Sequence, residues 1–216
     1  MVETDMIQNL FLFGIMAGCV LGIPIGPNGT LCLYRSLRFG WSQGMATACG
    51  SVTAMFLHAF ISFMLLSRLM GMMSQNTGSD SINGLSGAIS IVIGIIFYLY
   101  SRPGQTGLQN TGPQKVFFFN FFSAFTIGIV NPKNVFGFAA LLIAGNLKLG
   151  NDFSSAMNAA VFGSGVFLST ALLFILLIYL SIAIGEKFLS RVIPKLKYLV
   201  SAVFILTGLV KIVQVL

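Results

Sequence analysis

The sequence predicts an all-α membrane protein of six transmembrane helices, and three observations carry that prediction. Of 216 residues, 56% are hydrophobic and only 8% are charged, against ~25% charged in soluble domains. The mean hydropathy is +0.92, and several stretches approach or exceed the roughly 20 apolar residues that cross a hydrocarbon core. Those stretches are apolar on every face rather than alternating. Backbone groups in lipid must pair internally, so this pattern selects helices over a transmembrane barrel.

The spans fall at roughly 7–33, 42–67, 83–101, 116–146, 154–184 and 195–214. The first is flanked by Glu3 and Asp5 rather than by basic residues. It runs past the length of a signal-peptide core without a clear small-residue cleavage site, so it is expected to remain as a span. The fourth is interrupted near Pro132. Arg102-Pro103-Gly104 through Gly112-Pro113 is punctuated by helix breakers. It divides the chain into a first repeat (1–102), a linker (103–115) and a second repeat (116–216) with three spans each. Three spans return the chain on the opposite side, so the two repeats are expected to have inverted topology, as many secondary transporters do. Gly50-Ser51 and Gly163-Ser164 occupy comparable places in the second helix of each half.

Orientation follows from the basic residues. One set of connections holds eight: Arg35, Arg38, Arg102, Lys115, Lys187, Arg191, Lys195 and Lys197. The other holds three: Arg68, Lys148 and Lys211. This predicts a plasma-membrane protein with both termini on the non-cytoplasmic side. The net charge of +7 is accounted for by this asymmetry, and no nucleic-acid partner is expected. The remaining basic residue, Lys133, belongs to neither side.

The residues that break the apolar pattern are the candidates for function. Gly14, Gly18, Gly22 and Gly26 form one row along the first span, where another backbone can approach closely. Helix packing is the first reading of that row and a substrate pathway the second. Pro24 and Pro27 then interrupt the span within Pro24-Ile25-Gly26-Pro27-Asn28-Gly29, and are expected to free the carbonyls of Val20 and Ile23. Pro132, within Asn131-Pro132-Lys133-Asn134, is expected to free that of Gly128. Broken backbone at membrane depth is tolerated only where it is buried in protein or lines a wet cavity. Corresponding breaks in two halves are the best sequence pointer to a transport site. Ordinary proline kinks are the plainer alternative.

Lys133 lies near the middle of its span, where a lysine costs ~2.5–3.5 kcal/mol on insertion scales. No Asp or Glu lies well inside any predicted span, so an anionic group on a substrate is its simplest counter-charge. His58, the only histidine, sits near the centre of the second span as a proton-coupling candidate beside Lys133, or as a hydrogen-bonded structural residue. Pro24, Pro27, Asn28, Thr30, Asn131, Pro132, Lys133 and Asn134 make up the candidate substrate-binding set. Cys19, Cys32 and Cys49 lack paired ligand spacing and are expected to pack as small apolar residues. There is no metal-ligand cluster and no Gly-rich phosphate loop, so no cofactor and no ATP-driven step are expected. A hydrolytic dyad of Ser164 and His58 would need an oxyanion site that cannot be identified, so the chain is not expected to be an enzyme.

At these residues the chain resembles the LysE/RhtB family of bacterial amino-acid exporters. Gly22-Ile23-Pro24-Ile25-Gly26-Pro27-Asn28, followed by Arg35-Ser36-Leu37-Arg38-Phe39-Gly40, is similar to that family's Pro-Gly-Pro-Asn segment and its basic first loop. Asn131-Pro132-Lys133 is similar to its Asn-Pro-Lys element. The likeness covers nearly the whole chain. It implies ion-gradient-driven export of amino acids or close derivatives across the bacterial inner membrane, an antiporter among its mechanisms, and a homodimer. One departure stands out. Family members often carry an aspartate in the second span, whereas Gly50-Ser51-Val52-Thr53-Ala54-Met55-Phe56 contains no acid, which puts a dicationic cargo out of favour. The expectation is therefore a divergent secondary exporter of a neutral amino acid or similar small carboxylate. An ion or metal exporter of the same superfamily and a non-transporting membrane partner protein are the alternatives.

Overall fold

The computed structural model describes residues 2–23, 27–73, 117–145 and 154–184, with isolated helical positions at Ala88, Ile91, Val92, Ile95, Ala202, Ile205, Leu206, Leu209, Ile212 and Val213. Six helices are present among the described residues, and no strand: α1 (Val2–Leu21), α2 (Pro27–Phe39), α3 (Trp41–Met73), α4 (Phe117–Ile129), α5 (Pro132–Ala144) and α6 (Ser154–Ile184). Two are long and apolar enough to cross a membrane, over Trp41–Leu69 and Ala156–Ile184; α4 and α5 make a third if they are one bent span. The expected third and sixth spans and the 103–115 linker lie outside the described residues, apart from those isolated positions.

The expected first span is two helices. α1 stops at Leu21, and α2 begins at Pro27, a residue whose fixed φ suits a first helical position. The two follow one another along α6. Gly14 lies over the Phe162 carbonyl, Gly18 over Val166 and Ser169, and Gly22 over Thr170. Further on, Cys32 and Leu33 pack with Phe174, Leu177 and Ile178. α6 thus fills the glycine row at Gly14, Gly18 and Gly22, and that stretch is a helix-packing groove rather than an open pathway. Gly26 lies outside the described residues.

α2 and α3 form an antiparallel hairpin. The Gly40 N–H closes the last turn of α2 on the Ser36 carbonyl at 3.0 Å, and Gly40 then turns the chain at φ +86°. A Cβ at Gly40 would meet nothing within 4 Å, so glycine is required there by the left-handed backbone and not by space.

α3 is the central helix, in contact with α2, α4, α5 and α6. Buried positions make up 56% of its 18-residue apolar stretch against 33% for that of α6. The outward side of α6 presents Leu168, Leu172, Leu176 and Tyr179, an apolar face suited to lipid. α4 and α5 run parallel to α3 and bend by 58° at their junction, where Pro132 has no N–H to continue the ladder. Gly50 lies over the Phe121 carbonyl and the Phe125 N–H. In the same way, Gly165 lies over the Phe11 carbonyl and the Ile15 N–H of α1. The packing counterpart of Gly50 is therefore Gly165, two residues beyond the Gly163 suggested by sequence.

The core gathers where α1, α3, α5 and α6 meet. Phe162 lies 6.0 to 6.2 Å from the rings of Phe13, Phe63 and Phe138, edge-on to the last. Such aromatic pairs add about 0.5–1.5 kcal/mol beyond area burial.

Candidate functional site

A polar stripe runs along α3 through Thr47, Ser51, His58 and Ser62, all buried. The spacing places them on one face of the helix. That face meets α4 and α5 at the break. His58 is 2% exposed, with its Nε2 3.1 Å from the Ile129 carbonyl and its Nδ1 3.4 Å from Asn134 Nδ2. A carbonyl only accepts, so Nε2 carries the hydrogen; Nδ1 is then free to accept from the Asn134 amide. The neutral imidazole is satisfied at both nitrogens. Ser62 Oγ, one turn on, lies 2.6 Å from the His58 carbonyl and 2.8 Å from that of Val135, which ties the start of α5 to α3.

These contacts correct the expected hydrogen-bond bookkeeping at the break. The Gly128 carbonyl is not left open: the Asn131 N–H donates to it at 3.1 Å, in a tightened turn, while the Val130 N–H donates to Thr126. The Ile129 carbonyl takes its hydrogen bond from His58 rather than from the next turn. Asn131 donates three residues back instead of four because the chain tightens before α5 begins.

The second break comes to the same place. Asn28, in the first turn of α2, lies against Gly128. A Cβ on that glycine would be 3.0 Å from Asn28 Nδ2 and 2.6 Å from the Ala54 Cβ of α3. Asn28 Oδ1 is buried and has no hydrogen-bond partner among the described residues. A buried acceptor left unmade costs ~1–3 kcal/mol, so it is a place where a donor on a bound molecule would be welcome. The first turns of α2 and α5 add backbone N–H groups that an intact helix would have paired.

Of the residues expected from sequence, the structure thus assembles Asn28, His58, Asn134 and the backbone of Asn131 around Gly128 and Ile129. Thr30 is half-buried two residues along α2 from Asn28. Pro24 lies outside the described residues, as do the side chains of Pro27, Pro132 and Lys133; the backbone of Lys133 lies in the first turn of α5. Ser164 is exposed and donates to the Val161 carbonyl at 2.7 Å, so it and His58 do not form a dyad. Cys32 is buried, with its thiol 3.6 Å from the Gly44 carbonyl, while Cys19 and Cys49 are exposed.

Arg35 was counted from sequence among the loop cations. It is instead 7% exposed, whereas Arg38 faces outward. Its spacing from Asn28 was the available signal: seven residues place both on one side of α2. Comparison with family models, with curated proteins and with solved structures gives no match.

Proposed function

We propose that the chain is a secondary transporter that exports a neutral amino acid, or a similar small carboxylate, by alternating access across a bacterial inner membrane. The observation that carries this reading is the convergence of the two helix breaks on a buried polar centre whose acceptor, Asn28 Oδ1, has no partner among the described residues. Asn28 would take the substrate ammonium. The carboxylate would be drawn to the open N–H groups at the start of α2 and α5, with Lys133 in the first turn of α5 as the cation.

The packing supports two inverted repeats. Each broken helix lies on the long helix of the other half, α1 on α6 and α4 on α3, with Gly165 and Gly50 in equivalent contacts. Because α3 and α4 run parallel, a chain that crosses along both must cross back between them, which is the part the 83–101 span would play. In such a repeat a sixth span at 195–214 would be the counterpart of the third, and the seven-to-three distribution of basic residues that remains once buried Arg35 is set aside supports non-cytoplasmic termini. Energy would come from an ion gradient, with Lys133 or His58 carrying the coupled proton. The resemblance to the LysE/RhtB exporters supports the export direction and a homodimer.

Counterflow in proteoliposomes tests the reading. Vesicles loaded with a single neutral amino acid should accumulate its radiolabelled form, and Lys133→Ala should stop this while Ser164→Ala does not. Absence of counterflow for every amino acid, together with a harmless Lys133→Ala in cells, would refute it.

A further inference from the structure

Arg35 is buried where α2, α3 and α4 meet. Its Nη1 donates to Thr47 Oγ1 and to the Asn120 carbonyl, both at 3.1 Å, and its Nη2 donates to Ser123 Oγ at 3.0 Å. Every one of these acceptors is neutral. The chain's five acids are Glu3, Asp5, Asp80, Asp152 and Glu186, and none lies on the three helices that enclose the guanidinium. An arginine cannot shed its charge, and a buried charge is costly unless paired. The site therefore holds a permanent cation with no counter-charge on α2, α3 or α4.

The present bonds are also easily given up. Thr47 Oγ1 has its own acceptor in the Gln43 carbonyl at 2.9 Å, and Ser123 Oγ has one in the Asn120 carbonyl at 3.1 Å. Withdrawing the guanidinium would leave neither hydroxyl hydrogen without a partner. The bonds it makes now are charged on the donor side alone, whereas a carboxylate offers two parallel bonds charged on both sides, in the geometry of the guanidinium fork. An anion that reaches Arg35 also brings the counter-charge that the present acceptors lack.

We propose that Arg35 is a docking residue for a small carboxylate, at a station separate from the Asn28 centre. Arriving carboxylate draws the guanidinium off Thr47, Asn120 and Ser123 and so releases α2 from α4. The two stations lie on one face of α2, seven residues or ~10 Å apart along its axis. The identity of the carboxylate as transported cargo rests on the transporter reading; the site itself does not.

Trp41, the only tryptophan, opens α3 directly after Gly40 and reports on this corner. The full chain, purified in detergent, is titrated with acetate, leucine, isopentylamine and inorganic phosphate while Trp41 emission is followed. Acetate and leucine are expected to give a saturable change, and isopentylamine none. Arg35→Gln should weaken the response at least about tenfold, and Arg35→Lys should weaken it less. Ser123→Ala removes a competing acceptor and should tighten binding about fivefold; this arm still decides the matter if Arg35→Gln fails to fold. An unchanged response in Arg35→Gln, a response to phosphate alone (the mark of a lipid-headgroup site), or no carboxylate response at all overturns the proposal. Counterflow separates it from the transporter reading. A carboxylate response that needs Arg35 in a protein without counterflow leaves the site and removes transport. Wild-type counterflow together with an unchanged Trp41 response in Arg35→Gln leaves transport and removes the site.

Discussion

Replacing Gly165 by alanine would set a methyl group 2.3 Å from the Phe11 carbonyl oxygen and 2.9 Å from the Ile15 amide nitrogen. A comfortable carbon–oxygen contact is ~3.3–3.6 Å, so α1 and α6 would have to separate by about 1 Å. Both obstructing atoms are backbone, and no rotamer change relieves them. Overpacking of this kind costs ~1–3 kcal/mol, a ~5–150-fold loss in the folded-to-unfolded ratio. Apolar helices in lipid are held by close packing rather than by a hydrophobic drive, so the lost approach is not recovered elsewhere. The equivalent contact at Gly50, 2.2 Å from the Phe121 carbonyl, predicts a matching cost for Gly50→Ala. Gly163→Ala should cost less, because its nearest obstacle is the far edge of the Phe56 ring at 2.9 Å. Unfolding by added SDS in mixed micelles, followed through Trp41 fluorescence, measures all three. Gly165→Ala and Gly50→Ala indistinguishable from wild type, or Gly163→Ala the worst of the set, would refute the reasoning.

Three further outcomes are expected. Asn28→Ala removes a buried acceptor with no partner among the described residues, so thermal stability should hold or rise while counterflow falls at least about tenfold; a drop in stability of the same size as the loss of transport would make Asn28 merely structural. His58→Ala strips the Ile129 carbonyl of its donor and should cost ~1–3 kcal/mol in SDS unfolding, with no loss counting against the assigned hydrogen bond. Gly40→Ala forces a side chain onto φ +86° and should cost ~1 kcal/mol despite the open space around it; a neutral result would mean the turn can relax.

The long apolar run that becomes α6 was legible because it is uninterrupted, and the Pro132 break because proline leaves a fixed signature in any helix. Glycine spacing in the first span pointed correctly to close packing, but the sequence could not say that α6 was the partner. Counting four residues back from Pro132 points to the Gly128 carbonyl, but the chain tightens at Asn131, whose N–H fills it. Arg35 reads as a loop cation for a related reason: a basic residue near a predicted span end is normally solvated, and this one is buried by the packing of α3 and α4 against α2. Of the candidate site, the sequence places Asn28 and Asn134 in one substrate-binding set and offers His58 as a proton-coupling candidate. Their meeting at Gly128 and Ile129 depends on contacts between distant segments that no local pattern encodes.

The groove along α1 has a consequence for how the protein is made. Gly14 and Gly18 face α6, which is synthesised long after α1 has left the ribosome, and the Asn28 turn awaits α4 in the same way. During that interval the insertion machinery or surrounding lipid must shelter a helix with a bare backbone seam and a severed turn. Packing of α1 is therefore a late event that waits for the fifth predicted segment, and a chain truncated before Ser154 should be cleared by membrane proteases rather than persist as a half-built bundle.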